Sequence, residues 1–320
     1  KQLSIPASHF IGSPESARRE KRRTYSLRTL YKKEVVDRSM EDAVMRSMRL
    51  AREVRQETLS RPSPMVPLLI RTYKDTNFLH ALFNVTIACD MHSVFLTEEH
   101  NPPLDALRHS AACIVLGLER LHGLGIRYRG ISPDLLFLDG RGYTVMMEYR
   151  FAKEGLARSS TICGASEYLP PEMVRQEGSG VEQDFWALGI FIYEVLFGNS
   201  PFSADKEIDV YSNITNYRAG SLEYPEDFSD HLVSLLNGLL HPDPAQRLGC
   251  PDLDGGVAAI KQHRYFHGLD WEQLSSGGLL NTALSTIAQQ LVNKAVHTAQ
   301  TAIPTVGRIF TGDDSIFDGF

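Results

Sequence analysis

Residues 181–197 are almost wholly apolar and read as one helix without a polar stripe. A helix that is hydrophobic all round has to be buried on every side, so this segment belongs at the centre of a body made of other elements. Helical spacing recurs upstream, where Leu107, Ala111, Val115, Leu118 and Leu121 form one face that ends at His122-Gly123. Earlier still the period changes. Tyr25-Ser26-Leu27-Arg28-Thr29-Leu30 alternates as a strand does, and residues 66–72 and 78–87 form two more strand-like runs. A helical stretch at residues 40–54 and the break Arg61-Pro62-Ser63-Pro64 separate them. Two short strands are expected around the turn Asp139-Gly140-Arg141-Gly142. A strand-rich first third followed by a helical body predicts the α+β class in two lobes.

The 320 residues suffice for a large packed core, and 42% hydrophobic with 22% charged residues is the composition of a globular chain. A net charge of −6 gives no overall attraction to nucleic acid or anionic membrane. No run of 18 apolar residues is present, so no transmembrane segment is expected. The four cysteines, Cys89, Cys113, Cys163 and Cys250, stand singly without metal-binding spacing. They are expected to be reduced, in a cytoplasmic protein. The chain starts at Lys1 with nothing like a signal peptide, and it is expected to be a piece of a longer protein.

Several segments, in order, resemble the AGC protein kinases, the cyclic-nucleotide-dependent branch in particular. Thr161-Ile162-Cys163-Gly164-Ala165-Ser166-Glu167-Tyr168-Leu169-Pro170-Pro171-Glu172 is similar to the end of an activation segment, TxCGTPEYLAPE. Asp184-Phe185-Trp186-Ala187-Leu188-Gly189, with Tyr193-Glu194 and residues 198–202, resembles DxWxLGxxxYExxxGxxPF. Asp243-Pro244-Ala245-Gln246-Arg247-Leu248-Gly249 resembles DPxxRLG, and His267-Gly268-Leu269-Asp270-Trp271 resembles FxxFDW at the start of an AGC tail. The resemblance implies a bilobal kinase fold. Residues 1–87 would form a β-rich N-lobe, 88–266 a helical C-lobe and 267–320 an AGC-type tail, with a helical insert near 279–302. It also implies a buried structural ion pair between Glu172 and Arg247, and a carboxylate at Asp184 that holds the catalytic-loop backbone.

The chemistry-bearing positions depart from that family. Phosphoryl transfer requires a phosphate cradle, metal ligands and a carboxylate that orients the attacking hydroxyl. The catalytic loop reads Tyr128-Arg129-Gly130-Ile131-Ser132-Pro133-Asp134-Leu135. By resemblance the base position is Gly130, the lysine position Ser132 and the metal-binding asparagine position Leu135, which offers no oxygen to a hard cation. The DFG motif reads Glu148-Tyr149-Arg150, which leaves Glu148 as a weak metal candidate beside a cation. The strand lysine falls at Arg28, not a conservative exchange, and its helix partner at Ser47. The glycine-rich loop falls on residues 6–12, where Pro6, Ala7, Ser8, His9 and Phe10 carry side chains that hinder close backbone approach to phosphate. Ala165 stands where active relatives have a threonine bonded to the base.

The expectation is a catalytically inactive pseudokinase that serves as a scaffold, an allosteric regulator or a binder of basic peptides. Its partners would be proteins, such as an active kinase or a regulatory domain, with no cofactor. Two alternatives stay open: a Ser/Thr kinase with relocated catalytic groups, or a nucleotide-binding switch without transfer; only these would use ATP and magnesium. The resemblance places Asp90, Asp134 and Glu194 where relatives read arginines in peptides; the other reading is a solvated acidic surface. Thr161 falls at the activation-loop phosphosite, with Arg129 and Lys153 as phosphate partners; the other reading is an unmodified polar loop. The basic residues 18–23 read as a solvated turn or a contact for an acidic partner. Phe317-Asp318-Gly319-Phe320 fits either a hydrophobic motif docked on the small lobe or a tail motif over the nucleotide pocket. The second is preferred, which puts Phe317 with Phe10, Arg28 and Glu148 in that pocket.

Overall fold

A computed structural model describes residues 2–4, 24–97, 99–100, 102–155, 157–253, 255–298 and 310–320. Phe10, the rest of residues 6–12 and the basic residues 18–23 lie outside them. The small lobe begins with β1 (Gln2–Ser4) and β2 (Thr24–Tyr31), followed by α1 (Lys32–Asp37) and α2 (Glu41–Ser60). It ends with β3 (Leu69–Lys74) and β4 (Phe78–Phe83), giving an antiparallel sheet of order β1-β2-β4-β3. Strand β4 alternates, burying Leu79, Ala81 and Phe83 on one face. Helix α2 buries Val44, Ser47, Met48, Ala51 and Val54 at helical spacing against the sheet. It runs past the expected end at Val54, because only Pro62 and Pro64 break the pattern. The long run expected at 78–87 is divided. Asn84 closes the strand end, its Oδ1 accepting from Leu68 N–H (2.7 Å), and the chain leaves as the hinge to β5 (Ile87–Asp90).

The large lobe continues with α3 (Met91–Phe95), α4 (Leu104–Gly123) and β6 (Ile126–Arg127). Strands β7 (Leu136–Asp139), β8 (Thr144–Met146) and β9 (Lys153–Glu154) follow. The order β5-β7-β8 makes a second small sheet, and β6 pairs with β9. Then come α5 (Pro171–Val174), α6 (Glu182–Phe197), α7 (Glu207–Asn216), α8 (Asp230–Leu239) and α9 (Gly256–Gln262). Helix α6 is the buried centre that its sequence demands, but only from Glu182 to Ile192; residues 193–197 are half-buried before Gly198 ends the helix with φ 79°. Helix α4 is the second central element, buried almost continuously from Ala106 to Leu118. No helix among the described residues is long and apolar enough to cross a membrane.

The tail carries α10 (Trp271–Ser276) and α11 (Thr282–Thr298). Helix α11 is seated on the chain's own hinge. Leu284 and Ala288 are fully buried, and the helix packs on β5 and β7. Its side chains bond the outer carbonyls of the β7–β8 turn: Ser285 Oγ donates to Arg141 O (2.7 Å) and Gln289 Nε2 to Gly140 O (2.9 Å). On the inner side Gly140 N–H donates to Thr86 O of the hinge (2.7 Å). Gly142 is required here: its φ is 100°, and a Cβ would stand 2.7 Å from the Ser285 nitrogen.

Candidate functional site

The site lies between the lobes, on the loop joining β6 to β7. Asp184, fully buried at the start of α6, shapes that loop by accepting from Tyr128 N–H (2.9 Å), Arg129 N–H (2.7 Å) and His122 Nε2 (2.7 Å). Those bonds hold Arg129 at φ 57°, a conformation that a non-glycine residue rarely adopts. The Arg129 side chain then ties the loop outward, donating from Nε to Phe151 O (2.7 Å) and from Nη1 to Thr161 O (3.0 Å). Gly130 has room for a side chain, since a Cβ would meet nothing nearer than Tyr128 at 3.4 Å. The backbone there therefore does not itself demand glycine. Between Gly130 and Ala165 lies a cavity of about 30 Å³, about the volume of one water. Ser132 and Leu135 are half-buried, and both sit within one turn of loop backbone, Leu135 N–H donating to Ser132 O (3.1 Å).

Glu148 follows β8 and is 3% exposed. Both its oxygens face arginines of the chain itself. Arg28 from β2 pairs with Oε2, Arg150 Nη2 reaches the same oxygen at 2.8 Å, and Arg150 N–H reaches Oε1 at 3.1 Å. Burial would push this carboxyl up, but the guanidiniums of Arg28 and Arg150 prevail and hold it below the ordinary value. Arg28 is thus paired with Glu148, not with helix α2, where Ser47 offers a short hydroxyl. The residues present do not fit a magnesium–ATP complex. The Glu148 carboxylate is occupied by two cations, and Leu135 supplies no side-chain oxygen. The hinge is also engaged internally: Ile87 N–H donates to Ser26 Oγ (2.9 Å). Ser26 carried no signal in the sequence, because the bond joins residues remote in the chain.

On the outer face, Tyr168 donates its hydroxyl to Glu194. Burial raises the Glu194 carboxyl despite that bond, and the nearby Glu167 and Asp134 raise it further. Asp134 is exposed at the end of the loop. Glu167 thus joins Asp134 and Glu194 in one acidic group, a member the sequence reading missed although it stands in the segment before Tyr168. Asp90 borders the same loop, since Met91 N–H and His92 N–H donate to Pro133 O (3.0 and 3.1 Å). Its carboxylate caps α3, accepting from Ser93 N–H (2.7 Å).

The activation segment is pinned at its far end. Glu172 and Arg247, 1% and 0% exposed, form two parallel bonds of 2.8 and 2.9 Å. Thr161 is exposed; Ser159 Oγ lies 3.3 Å from its hydroxyl and accepts from Lys153 Nζ (2.8 Å). Arg46 of α2 joins Arg129 and Lys153 in the positive field around neighbouring Cys163, whose thiol burial raises and these cations lower. None of the cysteines is disulfide-bonded.

Phe317 is not in the nucleotide pocket. It is fully buried on the small lobe, packed with Val35 of α1, Val44 of α2 and Leu79 of β4. The reason is complementarity: α1 and α2 leave an apolar notch rimmed by cations. Lys32, itself fully buried, pairs with Asp314, Lys74 reaches Asp318 at 2.8 Å, and Arg52 Nη1 donates to Gly319 O (2.8 Å). The acidic–aromatic end of the chain therefore docks as a hydrophobic motif does.

A small lobe with a four-stranded sheet among the described residues, hinged to a helical body, with an activation-type segment anchored on a buried ion pair, is the architecture of an AGC-like protein kinase domain. The family model described as "Protein kinase domain" matches residues 13–266, and the chain belongs to that family. It is 30% identical to human cGMP-dependent protein kinase 2 over 257 residues, 80% of this chain and 32% of that protein. It is 31% identical to Drosophila melanogaster cGMP-dependent protein kinase, isozyme 1, over 266 residues, 82% of this chain and 33% of that protein. A Caenorhabditis briggsae protein named "cAMP-dependent protein kinase, catalytic subunit-like" is 32% identical over 248 residues, 78% of this chain and 61% of that protein. The chain thus spans about a third of the length of the cGMP-dependent relatives.

Proposed function

We propose that this domain is a pseudokinase: a kinase fold that binds protein partners without transferring phosphate. The observation that carries the reading is the closed triad Arg28–Glu148–Arg150. It takes the carboxylate and the strand cation that nucleotide chemistry would need and satisfies each with the other. The absence of a side chain at Gly130 removes the base as well. Thermal unfolding in ATP, with and without magnesium, tests this. The expected result is an unchanged midpoint in millimolar ATP and no radiolabel transferred to peptides. Ligand at a hundredfold excess over Kd would add about 2.7 kcal/mol to stability, so a magnesium-dependent rise of that order contradicts the reading.

The partner surface is the acidic group of Asp134, Glu167 and Glu194 with Asp90 at its border. Three carboxylates on one wall favour a basic peptide electrostatically. An arginine-rich peptide is expected to bind at low salt, and Asp134→Asn with Glu194→Gln to weaken it about tenfold, roughly 1.4 kcal/mol. Binding that ignores both the charges and the salt would mean that another surface does the work.

A further inference from the structure

A cavity of about 210 Å³ opens between β2, α1 and α2, on the small-lobe side of Glu148. We propose that it is a binding site for a carboxylate carried on a short apolar stem. The charges that line it do not balance. Arg38 and Glu34 pair with each other at 2.9 Å and cancel. Arg28 and Arg150 share the single carboxylate of Glu148, which leaves one positive charge over. Two buried polar atoms of the lining, Ser47 Oγ and Arg150 Nε, have no hydrogen-bond partner among the described residues, and Ser47 is 1% exposed. Native structures rarely leave such groups unpaired.

A carboxylate answers both features. It brings one negative charge, and its two oxygens accept from a hydroxyl and a guanidinium together. A phosphate monoester, at about −1.5 to −2, would overshoot the charge beside Glu148. Val35, Val44 and Met48 give the remaining wall an apolar stretch, which suits a hydrocarbon end on the ligand. The volume is below the range of about 300–1,000 Å³ typical of larger ligands. At about 30 Å³ per water-sized group it holds about seven non-hydrogen atoms, the size of pentanoate or of a glutamate side chain with its Cα. Val35 and Val44 also touch Phe317, so the ligand shares its wall with the docked tail. The inference is independent of whether the domain transfers phosphate, because it concerns the α2 side of Glu148.

Methyl-detected NMR titration of the whole chain tests it, with pentanoate, the neutral alcohol pentanol of the same carbon count, and N-acetylglutamate amide as probes. Saturable shifts of the Val35, Val44 and Met48 methyls are expected with pentanoate, about tenfold tighter than with pentanol. Ser47→Ala, a substitution small enough to keep the fold, and Arg150→Met should each weaken pentanoate severalfold and leave pentanol unchanged. Binding of the glutamate amide as well would assign the carboxylate to a partner's side chain; binding of pentanoate alone would assign it to a free small acid. Equal binding of acid and alcohol, no saturation by tens of millimolar, or indifference to both substitutions would overturn the proposal.

Discussion

Arg247→Met is expected to cost about 3–5 kcal/mol of stability, the largest single loss in the large lobe. The arginine makes two bonds to Glu172, donates from Nε to His241 O (3.1 Å) and from Nη1 to Glu182 O (3.1 Å), and lies 5.1 Å from the Trp186 ring centroid. Its removal leaves the Glu172 carboxylate buried with Ser179 Oγ (3.0 Å) as its remaining side-chain donor. That uncompensated charge, more than the missing contact, sets the size of the loss. Glu172→Leu combined with Arg247→Met should therefore recover much of it, since a buried ion pair and an apolar replacement are often equivalent. Urea unfolding of the single and double variants measures both. A single-variant loss under about 1 kcal/mol would show that water reaches the pair.

The second prediction concerns Glu148→Gln, expected to lower stability by about 2–3 kcal/mol at neutral pH, below the cost of breaking a fully buried pair because Arg28 and Arg150 are partly exposed. Its signature is a pH profile. The folded-state value of Glu148 is below the ordinary 4.5, so the unfolded chain binds a proton first as acid is added. The contribution is complete above pH 4.5 and disappears as pH falls through the folded value. The Gln variant should therefore show a flatter acid limb than the parent. Parallel limbs would mean that Glu148 is not held by its arginines as described.

Much of the scaffold was legible because its signals are local. The apolar residues of α6, the strand alternation of β2 and the short motifs around Glu172, Asp184 and Arg247 each declare themselves within a dozen residues. The site was legible in what it lacks, since Gly130, Ser132 and Leu135 are read directly from the loop. What the site does with its remaining charges was not. Arg28 and Glu148 are 120 positions apart, and no spacing rule announces that they meet. The tail was misjudged for a related reason. Two aromatics three residues apart suit two different surfaces, and the notch between α1 and α2 with Lys32 and Lys74 at its rim exists only after folding.

The tail grips the body twice, through α11 on the hinge and through residues 310–320 on the small lobe, and both grips belong to one covalent chain. Its docking on the small lobe is thus a unimolecular event. Covalent connection raises the effective concentration of a docked segment at its own seat above that of a free competitor. A free acidic–aromatic peptide arriving from another protein meets a notch guarded by that local competitor. It gains access only at comparable concentration, or after α11 lets go of the hinge.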